Sequence, residues 1–332
     1  MNQPHVSIVT PVYNGEAFLA ECIESVISQN YRHFDYTIVD NCSTDGTLEI
    51  AQSYVARDRR LRVLTNTVFV GAIDNHNRAL RAIRPDAKYC KVVSADDWVT
   101  PDCVGKMVSL AEAHPSVVVV GCYQRSGATV KWRGVPPTAD MLVGRDAARL
   151  GLMQGIHVLG TPTSVFYRAD VVRMRYEFFP HPHSHADASA CYEAFQHGDF
   201  GFVHEELAFE RVHAEQWTTA MDALDAGSLA YLDLVMKYGP LYLDADEFIT
   251  RKRDVFDGYY RALGGCLLKL KGPEYWKFHK NRFGEMGCKW QWNRIVWAAF
   301  REAVREGRRP HTALRKVQEV FALRTAKKET RA

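Results

Sequence analysis

The chain has 332 residues, 47% hydrophobic and 24% charged, with a formal net charge of +3; it fits one large or two ordinary globular domains and excludes a disordered, collagenous or small disulfide-stapled protein. No run of eighteen apolar residues occurs and Met1–Val6 lacks a basic region followed by an apolar one, so neither a spanning helix nor a signal peptide is expected. The eight cysteines are scattered without a C-x-x-C pair, the usage of a reducing compartment, and a cytoplasmic protein is expected, at most peripherally attached to the inner face of a membrane.

His5 to Thr10 reads as a short apolar strand stopped by Pro11-Val12-Tyr13-Asn14-Gly15, a turn signal. A helix follows, with Phe18, Leu19, Cys22, Ile23, Val26 and Ile27 on one face. Residues 36–40 form a second strand, the polar turn 41–47 feeds a helix through Tyr54, and residues 61–65 form a third strand. A helix over 71–83 carries Ile73, Leu80 and Ile83. Lys91-Val92-Val93 then ends a buried strand and delivers Asp96 and Asp97 into the loop before a helix over 102–114. Val117–Val120 is a further buried strand, and residues 123–143, with Gly127, Gly134 and Pro136-Pro137, read as an excursion over the active face. A short helix over 145–153, a turn and strand over 160–167, a His-rich loop, a helix over 186–197 and a strand over 200–209 complete this part. From about Met221 the pattern turns helical. The expected domains are therefore 1–220, α/β, and 221–332, helical with a basic tail.

Strands alternating with helices at this pitch imply right-handed crossovers and a mostly parallel sheet covered on both faces. Ligands of such sheets sit at the strands' carboxyl ends. Three loops there hold Thr10 to Tyr13, Asp40-Asn41 and Ser94 to Asp97. Adjacent carboxylates at a strand's end repel unless a hard cation such as Mg²⁺ or Mn²⁺ accepts their oxygens. A solvated turn with Asp102 as helix cap is the competing explanation of Asp96-Asp97 taken alone.

These motifs resemble the inverting glycosyltransferases of family 2, which bind nucleotide sugars on a Rossmann-like GT-A fold. Ser7 to Asn14 looks like the family's opening strand, Ile38 to Thr47 its second-strand signature, Ser94 to Asp97 its metal motif, and Gly160 to Arg168 its acceptor-side strand. The resemblance implies that Thr10, Pro11 and Tyr13 line a nucleobase pocket and that Asp40 and Asn41 contact the nucleoside. Asn41 stands where the family usually has an Asp that accepts the uracil imide proton; an amide both accepts and donates, so a uridine or thymidine donor is the first expectation and other bases stay open. Asp96 and Asp97 are placed by the ribose and the Mn²⁺ or Mg²⁺ ion, with Asp97 the direct metal ligand, Asp96 beside it on the metal, and His213, of Arg211-Val212-His213, as a further metal or phosphate contact. Asp187 falls on the family's general base, which deprotonates the acceptor hydroxyl; a first-turn acid favoured by the helix dipole is its bland alternative. His76 stands where an Arg is frequent.

The implied partners are a nucleotide-diphosphate sugar and a glycan or lipid-linked glycan acceptor, with no nucleic acid, in capsule, O-antigen or exopolysaccharide synthesis. A polyprenyl-phosphate sugar transferase and a non-catalytic nucleotide-binding protein are the alternatives. His181, His183 and His185 alternate as zinc ligands can, but the prolines between them favour an acceptor-side lid. From Lys289 onward twelve Lys/Arg face four Glu, against 30 and 35 acids before it. This basic stretch, beside Trp276, Trp290, Trp292 and Trp297, suits peripheral contact with anionic membrane or a helical homodimer contact.

Overall fold

The computed structural model describes residues 3–155, 158–180, 185–213 and 224–305, with 311, 312 and 315. The chain divides into two compact units, Met1–Gln216 and Trp217–Ala332.

The first unit is an α/β sandwich. In chain order it runs β1 (Val6–Val12), α1 (Leu19–Ile27), β2 (Phe34–Asp40), α2 (Thr47–Val55), β3 (Leu61–Thr65), α3 (Ala72–Arg81), β4 (Tyr89–Val92), β5 (Trp98–Val99) and α4 (Cys103–Ala113). There follow β6 (Val117–Ser126), β7 (Thr129–Lys131), β8 (Met141–Leu142), α5 (Gly144–Gln154), a 3-10 turn at Pro162–Ser164, β9 (Val165–Arg168), α6 (Ala169–Arg173), α7 (Ala186–Ala194) and β10 (Asp199–Glu210). The sheet order is β3-β2-β1-β4-β9-β6-β10-β5, with β7 paired to β6 and β8 to β10.

The block β3-β2-β1-β4 is parallel, as the alternating pattern predicts. Beyond it the sheet is mixed, because β9 enters antiparallel between β4 and β6. A buried strand reads as an apolar run in either direction, so this reversal has no local signature. Leu19, Cys22, Ile23 and Val26, the predicted face of α1, are buried against Val6, Ile8, Val12, Phe34, Tyr36 and Ile38 of the sheet. Burial of such side chains, each worth ~1.5–3 kcal/mol, is the main favourable term holding helix to sheet.

The stretch read as an excursion is partly ordered strand. β6 continues through Gln124, Arg125 and Ser126 and folds back onto β7 across Gly127 and Ala128. Gly127 has φ +56°, the left-handed conformation such a tight hairpin asks of its first turn residue. The polar end of β6 hid this from the apolar pattern.

The second unit holds four described helices: α8 (Ala226–Tyr242), α9 (Ala245–Leu268), α10 (Pro273–Glu285) and α11 (Trp292–Arg305). Asp244 opens α9 with a reciprocal cap, accepting from Glu247 N at 2.8 Å while Glu247 Oε2 accepts from Asp244 N at 3.2 Å. Its core gathers Leu232, Tyr259, Leu263, Phe283, Ile295 and Ala299. Trp276, Trp290 and Trp292 interlock against that core, with ring centroids 5.2 and 5.5 Å apart. Trp297 is 60% exposed and stacks on Phe300. No described helix is long and apolar enough to cross a membrane. Of the basic stretch, Arg308, Arg309, Lys316, Arg324, Lys327, Lys328 and Arg331 lie outside the described residues, as do His181 and His183 of the alternating histidines.

Candidate functional site

The carboxyl ends of β1 and β4 meet through Val93 N, which donates to Val9 O at 3.0 Å, and Thr10 Oγ1, which donates to Val93 O at 2.9 Å. This is the place where the strand order turns from β2-β1 to β1-β4, the switch point at which α/β sheets open a crevice. The loop after β4 carries Asp96 and Asp97 there.

Asp97 is 5% exposed. Its Oδ2 accepts from Thr163 Oγ1 at 2.6 Å and its Oδ1 from Arg211 N at 3.2 Å. Burial, then the adjacent charge of Asp96, pushes its carboxyl well above the usual carboxylate range, although both donors favour the charged form. Asp96 is more open; its Oδ2 lies 3.1 Å from His213 Nε2. Arg211 packs its guanidinium against the rings of Phe18 and Trp98, 4.7 and 4.9 Å from their centroids, while Nε donates to Asp96 O and Nη2 pairs with Glu21. Thus α1, the β4 loop, the 3-10 turn and the end of β10 are joined around the two carboxylates.

Thr163 is placed by an unusual neighbour. Lys91 is fully buried in β4, and its Nζ donates to Thr163 O at 2.6 Å and Val165 O at 3.3 Å. A buried ammonium must be hydrogen-bonded, and here backbone carbonyls meet that need, pinning the turn that presents Thr163. The Thr163 hydroxyl also accepts from Ser94 N at 3.1 Å. Thr163→Val keeps the volume but removes both contacts; a loss of about 1–3 kcal/mol in urea unfolding is expected. An unchanged midpoint would show that neither bond is needed to hold the loop.

The nucleoside residues read from the sequence are disposed differently from a lined pocket. Thr10 is fully buried, its hydroxyl held by Val93 O and by Tyr36 OH at 2.9 Å, and Pro11 is buried beside it in β1. Asp40 is 1% exposed and takes Ser43 N on its two oxygens at 3.3 and 3.4 Å. Asn41 is 2% exposed, and its amide is engaged by protein: Nδ2 donates to Val70 O at 2.8 Å, and Oδ1 accepts from Val70 N at 3.1 Å and Asn66 Nδ2 at 2.9 Å. Of the five, Tyr13 alone presents a ring to solvent, 48% exposed. The four buried residues serve as the floor on which the loops are fixed. A hydroxyl or amide in a turn motif does not reveal which way it points, and inward is what tight strand-end packing selected.

Two further asparagines, missed from the sequence, belong to this floor. Asn75 Nδ2 lies 3.4 Å from Val12 O and 3.2 Å from Val39 O, tying the ends of β1 and β2, and its Oδ1 accepts from Asn66 Nδ2 at 2.9 Å. Asn77 exchanges two 2.8 Å bonds with the backbone of Phe179, in the segment that leads toward α7. The sequence carried little signal of this: both stand among Asp74, His76 and Arg78, and only the fold buries them with Ala79 and Leu80 of α3.

Asp187 lies in the first turn of α7, its Oδ1 accepting from Ala188 N at 2.8 Å. It keeps part of its surface open, yet burial raises its carboxyl above the usual range, with His185 opposing. Its charge acts on Tyr167 of β9 and on Cys191. His76 is half-buried, and burial lowers its imidazole against the opposing pull of Asp96, so it supplies no permanent cation where an arginine is frequent.

Among the described residues no three His, Cys, Asp or Glu side chains converge as a ready metal set. The expected trio of Asp96, Asp97 and His213 is therefore a loose one, with His213 on Asp96 and Asp97 turned to Thr163 and Arg211. Its chemistry still fits Mn²⁺ or Mg²⁺: two carboxylates that repel without a cation, and an imidazole beside them. A cleft of about 450 Å³ lined by Lys106, Ser109, Phe202 and His204 includes none of these residues.

The family model for glycosyl transferase family 2 matches residues 7–173. The putative teichuronic acid biosynthesis glycosyltransferase TuaG of Bacillus subtilis is 37% identical over 106 residues, 32% of this chain and 41% of that protein. The chain spans about two fifths of the curated relatives it matches. Among solved structures, S. aureus TarS 1–349 in complex with UDP-GlcNAc superposes with a TM-score of 0.63 at 17% identity, covering 96% of this chain and 92% of that one. The mannosyltransferase PcManGT of Pyrobaculum calidifontis, in complex with GDP-Man and Mn²⁺, gives 0.55 at 16% identity, covering 97% and 81%. At these identities the two structures speak for the fold.

Proposed function

The chain belongs to glycosyl transferase family 2, and from that premise we propose that it is an inverting glycosyltransferase, moving a sugar from a nucleotide-diphosphate donor to a hydroxyl of a glycan acceptor in bacterial surface polysaccharide synthesis. The observation that carries this reading is the mutually repelling Asp96-Asp97 pair at the β1/β4 switch point, with Asp97 buried and Asp96 more open. Donor phosphates belong at such a point.

Asp97 and Asp96, with His213, would hold Mn²⁺ or Mg²⁺, whose positive charge offsets that of the departing diphosphate. Asp187 takes the proton of the acceptor hydroxyl as that oxygen bonds to the anomeric carbon. The bond from that carbon to the diphosphate breaks on the opposite face, its electron pair leaving with the phosphate, and the configuration inverts. Tyr13 offers its ring to the base. A uridine donor is our choice, the first expectation from the resemblance; of the two structures of like fold, TarS is solved with UDP-GlcNAc and PcManGT with GDP-Man. Action at the cytoplasmic face of the membrane is part of this proposal.

The test is thermal denaturation with UDP, GDP or TDP, each with and without Mn²⁺. A nucleotide at a hundred times its Kd stabilises by about 2.7 kcal/mol, a rise of several degrees for a domain of this size. At least one should give that rise with Mn²⁺ and less without. A flat result across all three would remove the reading.

A further inference from the structure

The loop 66–71, between β3 and α3, is built to hold an apolar ring in solvent. Phe69 is 59% exposed and Val68 58%. The Phe69 ring meets that of Tyr13 edge to face, with centroids 4.8 Å apart and an interplanar angle of 64°. Two large rings side by side in water gain little from their own contact, and a free loop would fold Phe69 inward. This loop is prevented from doing so. Asn41 grips Val70, the next residue, by both its N–H and its C=O; Asn66 bridges Asn41 to Asn75; and Asn75 is anchored on Val12 O and Val39 O. The network is buried at Asn41 and Asn75, half-buried at Asn66, and fixes the residue next to the ring.

From this geometry we infer that Phe69 is a binding residue for the donor's nucleobase and that Asn41 is its positioning residue. The inference rests on the nucleotide-sugar reading above. The two rings form a corner past the carboxyl ends of β1 and β3, on the edge of the parallel block from which the β4 loop carries Asp96 and Asp97. A planar heterocycle fits such a corner, one face on Phe69 and an edge toward Tyr13. Asn41 does not read the base: it is 2% exposed, Oδ1 already accepts two donors, which fills its lone pairs, and one of its two N–H groups donates to Val70 O. The asparagine at this position therefore exchanges base reading for loop fixing.

Isothermal titration of the full chain with UDP, GDP and inorganic pyrophosphate, in Mn²⁺, separates the possibilities. Phe69→Ala, an exposed change that leaves the fold intact, should weaken the nucleotide that wild type binds by about five- to hundredfold, the range of a lost base stack, and leave pyrophosphate unchanged. Phe69→Trp should restore the affinity. Asn41→Asp cannot donate to Val70 O and sets a carboxylate against that carbonyl, so it too should weaken the nucleotide and spare pyrophosphate. Equal nucleotide affinity in wild type and Phe69→Ala would overturn the ring's role while leaving the enzyme reading intact. Tighter UDP binding by Asn41→Asp would show that position 41 reads the base after all. If wild type binds pyrophosphate and no nucleotide, both readings fall.

Discussion

Replacing Asp187 with Asn is expected to lower turnover by roughly 10²–10⁴-fold, the usual contribution of a positioned general base, with nucleotide affinity close to wild type and a melting temperature at neutral pH no lower than it. The side chain is isosteric, and its oxygen can still accept from Ala188 N. What it loses is the ability to take a proton. Because burial raises the Asp187 carboxyl, the wild-type rate should fall on the acid side at a pH above the ordinary carboxylate range, as that group protonates. Turnover and its pH profile on a soluble acceptor, measured beside nucleotide titration, make the check. A variant with full turnover would assign the base elsewhere and leave Asp187 as a first-turn helix acid.

Asp97→Asn should separate activity from stability. Loss of the carboxylate is expected to cut turnover by roughly 10²–10³-fold, as when a group that balances transition-state charge is removed. In the metal-free protein, however, the same change should raise the melting temperature at neutral pH. The sign follows from the raised carboxyl. Between the ordinary carboxylate range and its raised folded value, the folded chain binds the proton more tightly than the unfolded one, so stability falls as pH climbs through that window. The penalty is complete above the window and absent below it. Asparagine carries no such penalty and still accepts from Arg211 N or Thr163. The advantage should therefore be seen in EDTA near pH 8 and be gone below ~pH 3, where Asp97 is protonated in both states. A variant that melts lower at neutral pH would mean that Thr163 and Arg211 outweigh the cost of burying the charge.

Elements with a local cause were legible in the sequence. The face of α1 follows from spacing, since Leu19, Cys22, Ile23 and Val26 recur at three and four residues. The Asp96-Asp97 loop follows from a β-branched run ended by acids. What depended on distant partners was not legible. Thr163 reaches Asp97 across 66 residues of chain, and Asn77 reaches Phe179 across 102. Thr10 and Asn41 look alike as exposed or buried polar groups until the strands beside them are placed. Lys91 was a signal passed over: a cation inside Tyr89-Cys90-Lys91-Val92-Val93 must find oxygens, and the only question was whose.

Strand β9 sets the order in which the protein can be made. It fills the gap between β4 and β6, yet its first residue, Val165, follows Ser126, the last residue of β6, by 39 residues. A nascent chain stalled before Val165 would have the block β3-β2-β1-β4 in place, with the edges of β4 and β6 that β9 joins still unpaired. Such edges recruit other chains. Folding helpers, or speed of translation through this interval, would then decide how much of the enzyme reaches its native state.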